Sequence, residues 1–169
     1  MTRFSARLPM LCIALAACPG PPPPNPTPWG EGAFELGVHD LNDMPRFGAS
    51  VDALLEAGAQ GGFHVPVTYR VIGHAEHEVT FAHVVRRKSD SVLVSQGSRL
   101  FDVTGGVWTG SVIPIFICPT PIGTNALGEA LTLEVTASRS GGEVVARQTV
   151  EVTLSCPESS AYCASICKG

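Results

Sequence analysis

The chain has 169 residues, of which 44% are hydrophobic and only 15% charged, so one packed domain is within reach and a solvated, disordered chain is excluded. Lys and Arg number 11 against 15 Asp and Glu, a formal charge of −4, which argues against a generally basic nucleic-acid binder. With 18 Gly and 14 Pro as punctuation, long helices are not expected.

Residues 1–17 read as a secretory signal. Arg3 and Arg7 form a short positive n-region, and Leu8 to Ala17 is an unbroken apolar run. A membrane-spanning helix needs roughly 20 such residues, so the run fits the h-region of a signal peptide instead. It ends in Leu15-Ala16-Ala17-Cys18. This tetrapeptide resembles the lipobox of bacterial lipoproteins: an apolar residue, two small residues, then cysteine. The resemblance covers residues 1–18 only. It implies diacylglyceryl (palmitate-type) modification of the Cys18 sulfur, cleavage before Cys18 and acylation of the new amino group. One acyl chain holds a protein weakly, at about 0.8 kcal/mol per buried CH₂, whereas two or three make a durable anchor. Pro19 rather than Asp follows the cysteine, which by the same resemblance directs the protein to the cell outer membrane. Plain secretion is the alternative, because Ala14-Leu15-Ala16 has the small-x-small form that an ordinary signal peptidase accepts.

Residues 18–28 form the lipidated cysteine and a linker. Positions 19–28 (PGPPPPNPTP) carry seven prolines in ten residues. Proline fixes φ and lacks an N–H, so the segment is expected as polyproline II, roughly 30 Å long at about 3.1 Å per residue. Its expected role is a spacer. Loss of Arg3 and Arg7 with the signal leaves 9 basic and 15 acidic side chains, a net −6 that favours standing off an anionic bilayer.

Residues 29–169 form the domain, and two-residue periodicity dominates it. Weak apolar runs lie at 33–38 and 52–56. Then Phe63, Val65, Val67, Tyr69 and Val71 alternate with His64, Pro66, Thr68, Arg70 and Ile72. Further weak runs follow at 78–85, 91–95 and 99–103. Val112 to Cys118 is almost continuously apolar, as if buried on both faces. Leu131, Leu133, Val135 and Ala137 share one face, as do Val144, Ala146, Val150, Val152 and Leu154 on the next run. Glycines punctuate at 61–62, 73, 105–106, 123 and 141–142. Seven to nine such strands predict an all-β, antiparallel sandwich, immunoglobulin-like in general architecture, with a small closed barrel as the alternative. The prolines at 66 and 114 cannot donate to a ladder and are expected at an edge or bulge.

The C-terminal CPESSAYCASICKG reads as a staple. Cys12 leaves with the signal, and a lipidated Cys18 leaves Cys118, Cys156, Cys163 and Cys167, an even set for an oxidising compartment. A short helix from Ala161, capped by Ser159, would put Cys163 and Cys167 on one face. The favoured pairing is Cys156–Cys163 with Cys118–Cys167. A thiolate metal cluster is the competing reading.

Five histidines, His39, His64, His74, His77 and His83, raise a metal-binding alternative. His77 and His83 are six residues apart, about 20 Å along a strand, and cannot share one ion there. His74 and His77 could converge around Gly73, while His83 is expected half-buried and hydrogen-bonded. His39-Asp40-Leu41-Asn42-Asp43 clusters ligand atoms without calcium-loop spacing and is expected as a solvated loop. Gln60-Gly61-Gly62-Phe63-His64 is the most distinctive string: two glycines before a strong strand, with Gln60 and His64 as candidate ligand contacts. Nucleophile elbow, P-loop, dinucleotide and C-x-x-C motifs are missing from the sequence. The expectation is therefore a non-enzymatic, cofactor-free, lipid-anchored binding or structural module of the cell envelope. Its partners would be the membrane, through Cys18, and an envelope protein or glycan, with no nucleic acid.

Overall fold

The computed structural model describes residues 29–158 and 160–168. The polypeptide is nearly all β, in two packed sheets. One, here called the narrow sheet, contains β1 (Phe34–His39), β2 (Pro45–Arg46), β4 (Glu56–Ala57), β5 (Phe63–Ile72), β8 (Val107–Thr109) and β9 (Ile113–Cys118). The wide sheet runs β3 (Ser50–Leu54), β11 (Val144–Ser155), β10 (Ala130–Arg139), β6 (Glu76–Arg87), β7 (Leu93–Val103). Within it β3 runs parallel to β11 and the other pairs are antiparallel. The antiparallel sandwich expected from the periodicity is thus the fold.

Strand β5 organises the narrow sheet. Val67 faces Val38 of β1 across one edge and Ile113 of β9 across the other. Strands β8 and β9 follow one another along that second edge, opposite Arg70–Ile72 and Phe63–Val67. Over most of its length this sheet is therefore three strands across, facing a sheet of five. Its inner face is the alternating set of the sequence: Val65, Val67, Tyr69 and Val71 are buried, as are Leu36 and Val38 on β1. These pack on Val79, Phe81, Leu131, Leu133 and Val135 of the wide sheet. Aromatic rings knit the centre, with Tyr69 4.6 Å and Phe34 5.4 Å from Phe81, and Trp108 stacked on Phe81 at 6.0 Å.

Several sequence-derived details are corrected. The runs at 91–95 and 99–103 are one strand, β7, because Gly97 continues it. Pro66 lies inside the central strand, not at an edge. It is tolerated because its register partner is Pro114, and a pair of prolines exchanges no N–H bonds, and because the pairing with β1 covers Val67–Val71 and stops one residue short of it. Pro114 does sit on an edge strand. The apolar β9 is buried on one face only: Phe116 and Val112 are exposed. On β11 a register shift opposite Ala137/Ser138 turns Val145 inward and leaves Val144 exposed, the reverse of strict alternation.

The C-terminal staple forms as the favoured pairing, Cys118–Cys167 and Cys156–Cys163. The short helix α1 (Ala161–Ile166) is capped by Ser160 rather than Ser159, its hydroxyl accepting from the Cys163 N–H at 3.1 Å. Cys163 and Cys167 are fully buried and their sulfurs lie 3.9 Å apart, so the two disulfides touch. The 49-residue and 7-residue separations set unequal loop entropies, about 4 and about 2 kcal/mol. Accordingly, the double variant Cys118→Ser/Cys167→Ser should lose more stability in urea titrations than Cys156→Ser/Cys163→Ser. Equal losses would show that the loop argument does not govern the staple.

Candidate functional site: a cleft between two sheet edges

Width mismatch leaves part of the wide sheet uncovered. On β7 the residues opposite the inward-facing Val79, Phe81, His83 and Val85 of β6 are Phe101, Arg99, Gly97 and Ser95. They share that inward face, because directly opposed residues in an antiparallel pair point the same way. The half toward Val103 is apolar and Trp108 of β8 closes over it, its ring 5.8 Å from Phe101. The half toward Leu93 is polar, and β9 stops short of covering it. The result is a cleft between β7 and the edge of β9.

The cleft has two adjoining parts. A recess of about 170 Å³ is lined by Tyr69, His83, Gly97, Arg99 and the Ile113–Pro114 edge. A wider mouth of about 380 Å³ is lined by Gln60, Gly62, Val94, Ile117 and Pro119. Ser95, Gln96 and Phe116 border both. The Ser95 hydroxyl donates to the Phe116 carbonyl, tying the two edges together where the parts meet.

Local sequence explains this shape. A Cβ on Gly97 would lie 2.8 Å from Cε1 of His83, so only glycine lets the imidazole lie across β7. A Cβ on Gly62 would lie 2.6 Å from the Cys118 carbonyl oxygen, so Gly62 brings the 58–62 turn against β9 and delivers Gln60 to the mouth. Gly61 takes φ +82° in the same turn, as the paired glycines anticipated.

Electrostatically the cleft is cationic in an acidic protein. Among the described residues no carboxylate lines either part. Arg99 has no ion-pair or hydrogen-bond partner among the described residues, whereas Arg46, Arg70, Arg87, Arg139 and Arg147 each pair with a carboxylate. Tyr69 is 2% exposed and its hydroxyl likewise has no hydrogen-bond partner among the described residues. Burial pushes its pKa up to about 12, with Arg99 opposing, so it is a neutral donor at physiological pH. Burial lowers His83, and Arg99 lowers it further.

Of the two residues proposed from sequence as ligand contacts, Gln60 reaches the mouth. His64 instead sits behind Phe116, with ring centroids 5.6 Å apart, and its Nε2 is 3.7 Å from Glu56. Its Nδ1 is buried with no hydrogen-bond partner among the described residues, and desolvation lowers its pKa against the pull of Glu56. His83, Arg99, Tyr69 and Phe116 were not singled out as ligand contacts. The available signal was Ser95-x-Gly97-x-Arg99, a polar phase on a strand whose continuation, Phe101 and Val103, is apolar.

The other histidines are dispersed. His39 is buried, not solvated: its Nδ1–H donates to Asp43 at 2.7 Å, and its Nε2 accepts from the Thr68 hydroxyl at 3.0 Å. The order acid, imidazole, hydroxyl has the logic of a nucleophilic triad, which also needs an accessible hydroxyl facing oxyanion donors. Thr68 is 6% exposed, and its hydroxyl satisfies the buried ring. His74 stacks on Trp29 at 5.2 Å, while His77 is fully exposed beside Asp102 at 3.4 Å, so His74 and His77 do not converge. His83 is half-buried as expected, but without a hydrogen-bond partner among the described residues. Among the described residues the sulfurs of Cys156, Cys163 and Cys167 come within 4.8 Å of one another, and all three are engaged in disulfides. Cys18 lies outside the described residues. Searched against family models and curated proteins, the chain matches none.

The two lowered histidines fix the sign of a pH effect. Their ordinary value is 6.5, and the folded values lie below it. The unfolded chain therefore binds more protons as pH falls through about 6.5, and stability drops from there down to the folded pKa values. Between pH 7.5 and 5.5 the melting temperature should decline. His83→Gln should flatten that decline, and an undiminished slope in the variant would contradict the assignment.

Proposed function

We propose that the protein is an exported lipoprotein, anchored through a lipid on Cys18 to the outer membrane, whose sandwich is a non-catalytic binding module for an envelope glycan or protein. The observation that carries this reading is the placement of the cleft relative to the point where the linker enters.

The chain enters the described domain at Trp29. Its N–H bonds to the Val145 carbonyl at 2.9 Å, and its indole donates to Glu76 at 2.9 Å while stacking on His74. Glu76 is held in turn by Arg139 at 2.8 Å. Burial works to raise the Glu76 pKa, but the hydrogen bonds from Arg139 and Trp29 outweigh it and leave the carboxyl lowered and charged. This network fastens the entry point to the end of the sandwich where β5 passes into β6 and β10 into β11. The mouth of the cleft, at Gln60, Gly62 and Pro119, lies at the other end of β5. That strand has 10 residues, roughly 30 Å at about 3.3 Å each. A linker of ten proline-rich residues joined at Trp29 would thus present the mouth outward, away from the surface that holds Cys18.

The cleft chemistry agrees with binding rather than turnover. It offers hydrogen-bond donors, a cation and an aromatic edge, and its imidazole, His83, has no carboxylate partner among the described residues to orient it as a catalytic base. Among the described residues no helix is long and apolar enough to cross a membrane.

Cys18→Ser is the direct test. Fractionation of cells should move the variant from the membrane to the soluble fraction, with altered processing of the precursor. Retention in the membrane with parental processing would overturn the anchor. In parallel, photo-crosslinkers at Gln60 and Gln96 on intact cells should capture a partner, and crosslinkers on the β5–β6 turn should not.

A further inference from the structure

Building on the reading of the cleft as a binding site, we propose that its ligand is an acidic saccharide, with a sugar carboxylate on Arg99 and a neighbouring ring on Phe116. Four features, drawn from different parts of the fold, meet on that ligand class.

The first is a cation at the rim of the cleft with no carboxylate partner among the described residues. Arg99, itself exposed, stands directly opposite the buried Phe81, on a face that carries Val79 and Phe101 at one end and His83, Gly97 and Ser95 at the other. Its guanidinium, open to solvent at the border of the recess, is left available to an incoming anion. Its planar donors suit a carboxylate, which they can bind bidentately.

The second is a set of unspent hydrogen-bonding groups around that cation. The Tyr69 hydroxyl has no partner among the described residues, and neither has the His83 ring, which lies over Gly97. A carboxylate on Arg99 also accepts from a phenol. Ring hydroxyls, which both donate and accept, match a neutral imidazole.

The third is Phe116, 42% exposed on the border between the recess and the mouth. Two sides of its ring are backed, by His64 and by the Gly58 turn, where a Cβ would lie 2.9 Å from the ring. The ring is therefore rigidly held and presents an apolar platform of the kind that takes the C–H face of a sugar.

The fourth is Gln60 at the mouth, with Ser95 between the parts and Gln96, in the opposite phase of β7, at the rim. Amides pair with the donor–acceptor hydroxyls of a sugar, and they carry no charge to repel an acid. Ser95 and Arg99 share one face of β7, four residues or roughly 13 Å apart, room for two sugar rings. The two parts of the cleft thus read as consecutive subsites, one for the charged sugar and one for its neighbour.

An inward-pointing charge on an edge strand has another use, keeping sheet edges from associating. The experiment separates the two roles. The full chain, purified in detergent, is titrated calorimetrically with trigalacturonate, maltotriose and malate. Trigalacturonate should bind, with maltotriose and malate each at least about tenfold weaker. Arg99→Gln should weaken trigalacturonate about tenfold or more, the effect of losing a charge-assisted pair, and leave the oligomeric state unchanged. Phe116→Ala should weaken trigalacturonate several-fold without changing malate affinity. Maltotriose binding as tightly as trigalacturonate, and indifferent to Arg99→Gln, would overturn the acidic assignment while leaving a binding cleft in place. Malate binding as tightly as trigalacturonate would overturn the saccharide. If trigalacturonate does not bind, the proposal fails, and self-association of Arg99→Gln in sedimentation would then make Arg99 edge protection. None of these outcomes depends on Cys18, so the anchor and the ligand are judged separately.

Discussion

An apolar sheet face must be covered, and here one sheet is too narrow to cover the other. Strand β5 has only two edges, with β1 along one and β8 then β9 along the other. Five strands lie opposite, so the last of them, β7, is covered by Trp108 along one half, while its other half, Val94 apart, borders the cleft. The sequence of β7 follows that boundary: Phe101 and Val103 lie beneath the cover, and Ser95, Gly97 and Arg99 beyond it. The core, the cleft and the polarity of the cleft all descend from this one inequality.

The C-terminal staple supports the same region from behind. Cys118 ends β9, the strand that forms one wall of the cleft, and its disulfide to Cys167 fixes that strand's end to α1. The Thr120 N–H bonds to the Ile166 carbonyl, and the Ala126 N–H to the Cys167 carbonyl, so the 119–129 loop is sewn to the tail as well. Gly62 packs against the Cys118 carbonyl from the other side. A wall held by a disulfide, a turn and the Ser95 hydroxyl bond is rigid, and a rigid wall spares a ligand the cost of ordering it.

Much of the fold was legible because it rests on period two. Wherever one face is buried, alternation identifies it, as with Val65 to Val71 on β5 and Leu131 to Ala137 on β10. Reading failed where backbone geometry broke the period. The register shift on β11 exchanged the roles of Val144 and Val145, and Gly97 made β7 look like two strands. Pro66 was misplaced because its tolerance depends on Pro114, a residue 48 positions away and opposite it only in the folded sheet. Of the site, Gln60 was visible through its glycines, and His64 was visible but turned away from the cleft.

The sequence by itself determined the local features: the Leu15-Ala16-Ala17-Cys18 motif and the seven prolines after it, strands from alternation, and an even set of cysteines for the tail. Each follows from properties of neighbouring residues, such as side-chain polarity, missing N–H groups or short spacing. Tertiary structure alone decided which strands were edges and how far β8 and β9 extend over β7. That brought Arg99, Tyr69, His83 and Phe116, from four different strands, around one cleft. Their meeting depends on sheet width and strand order, which are set by long-range pairing and leave no mark in the residues next to each position.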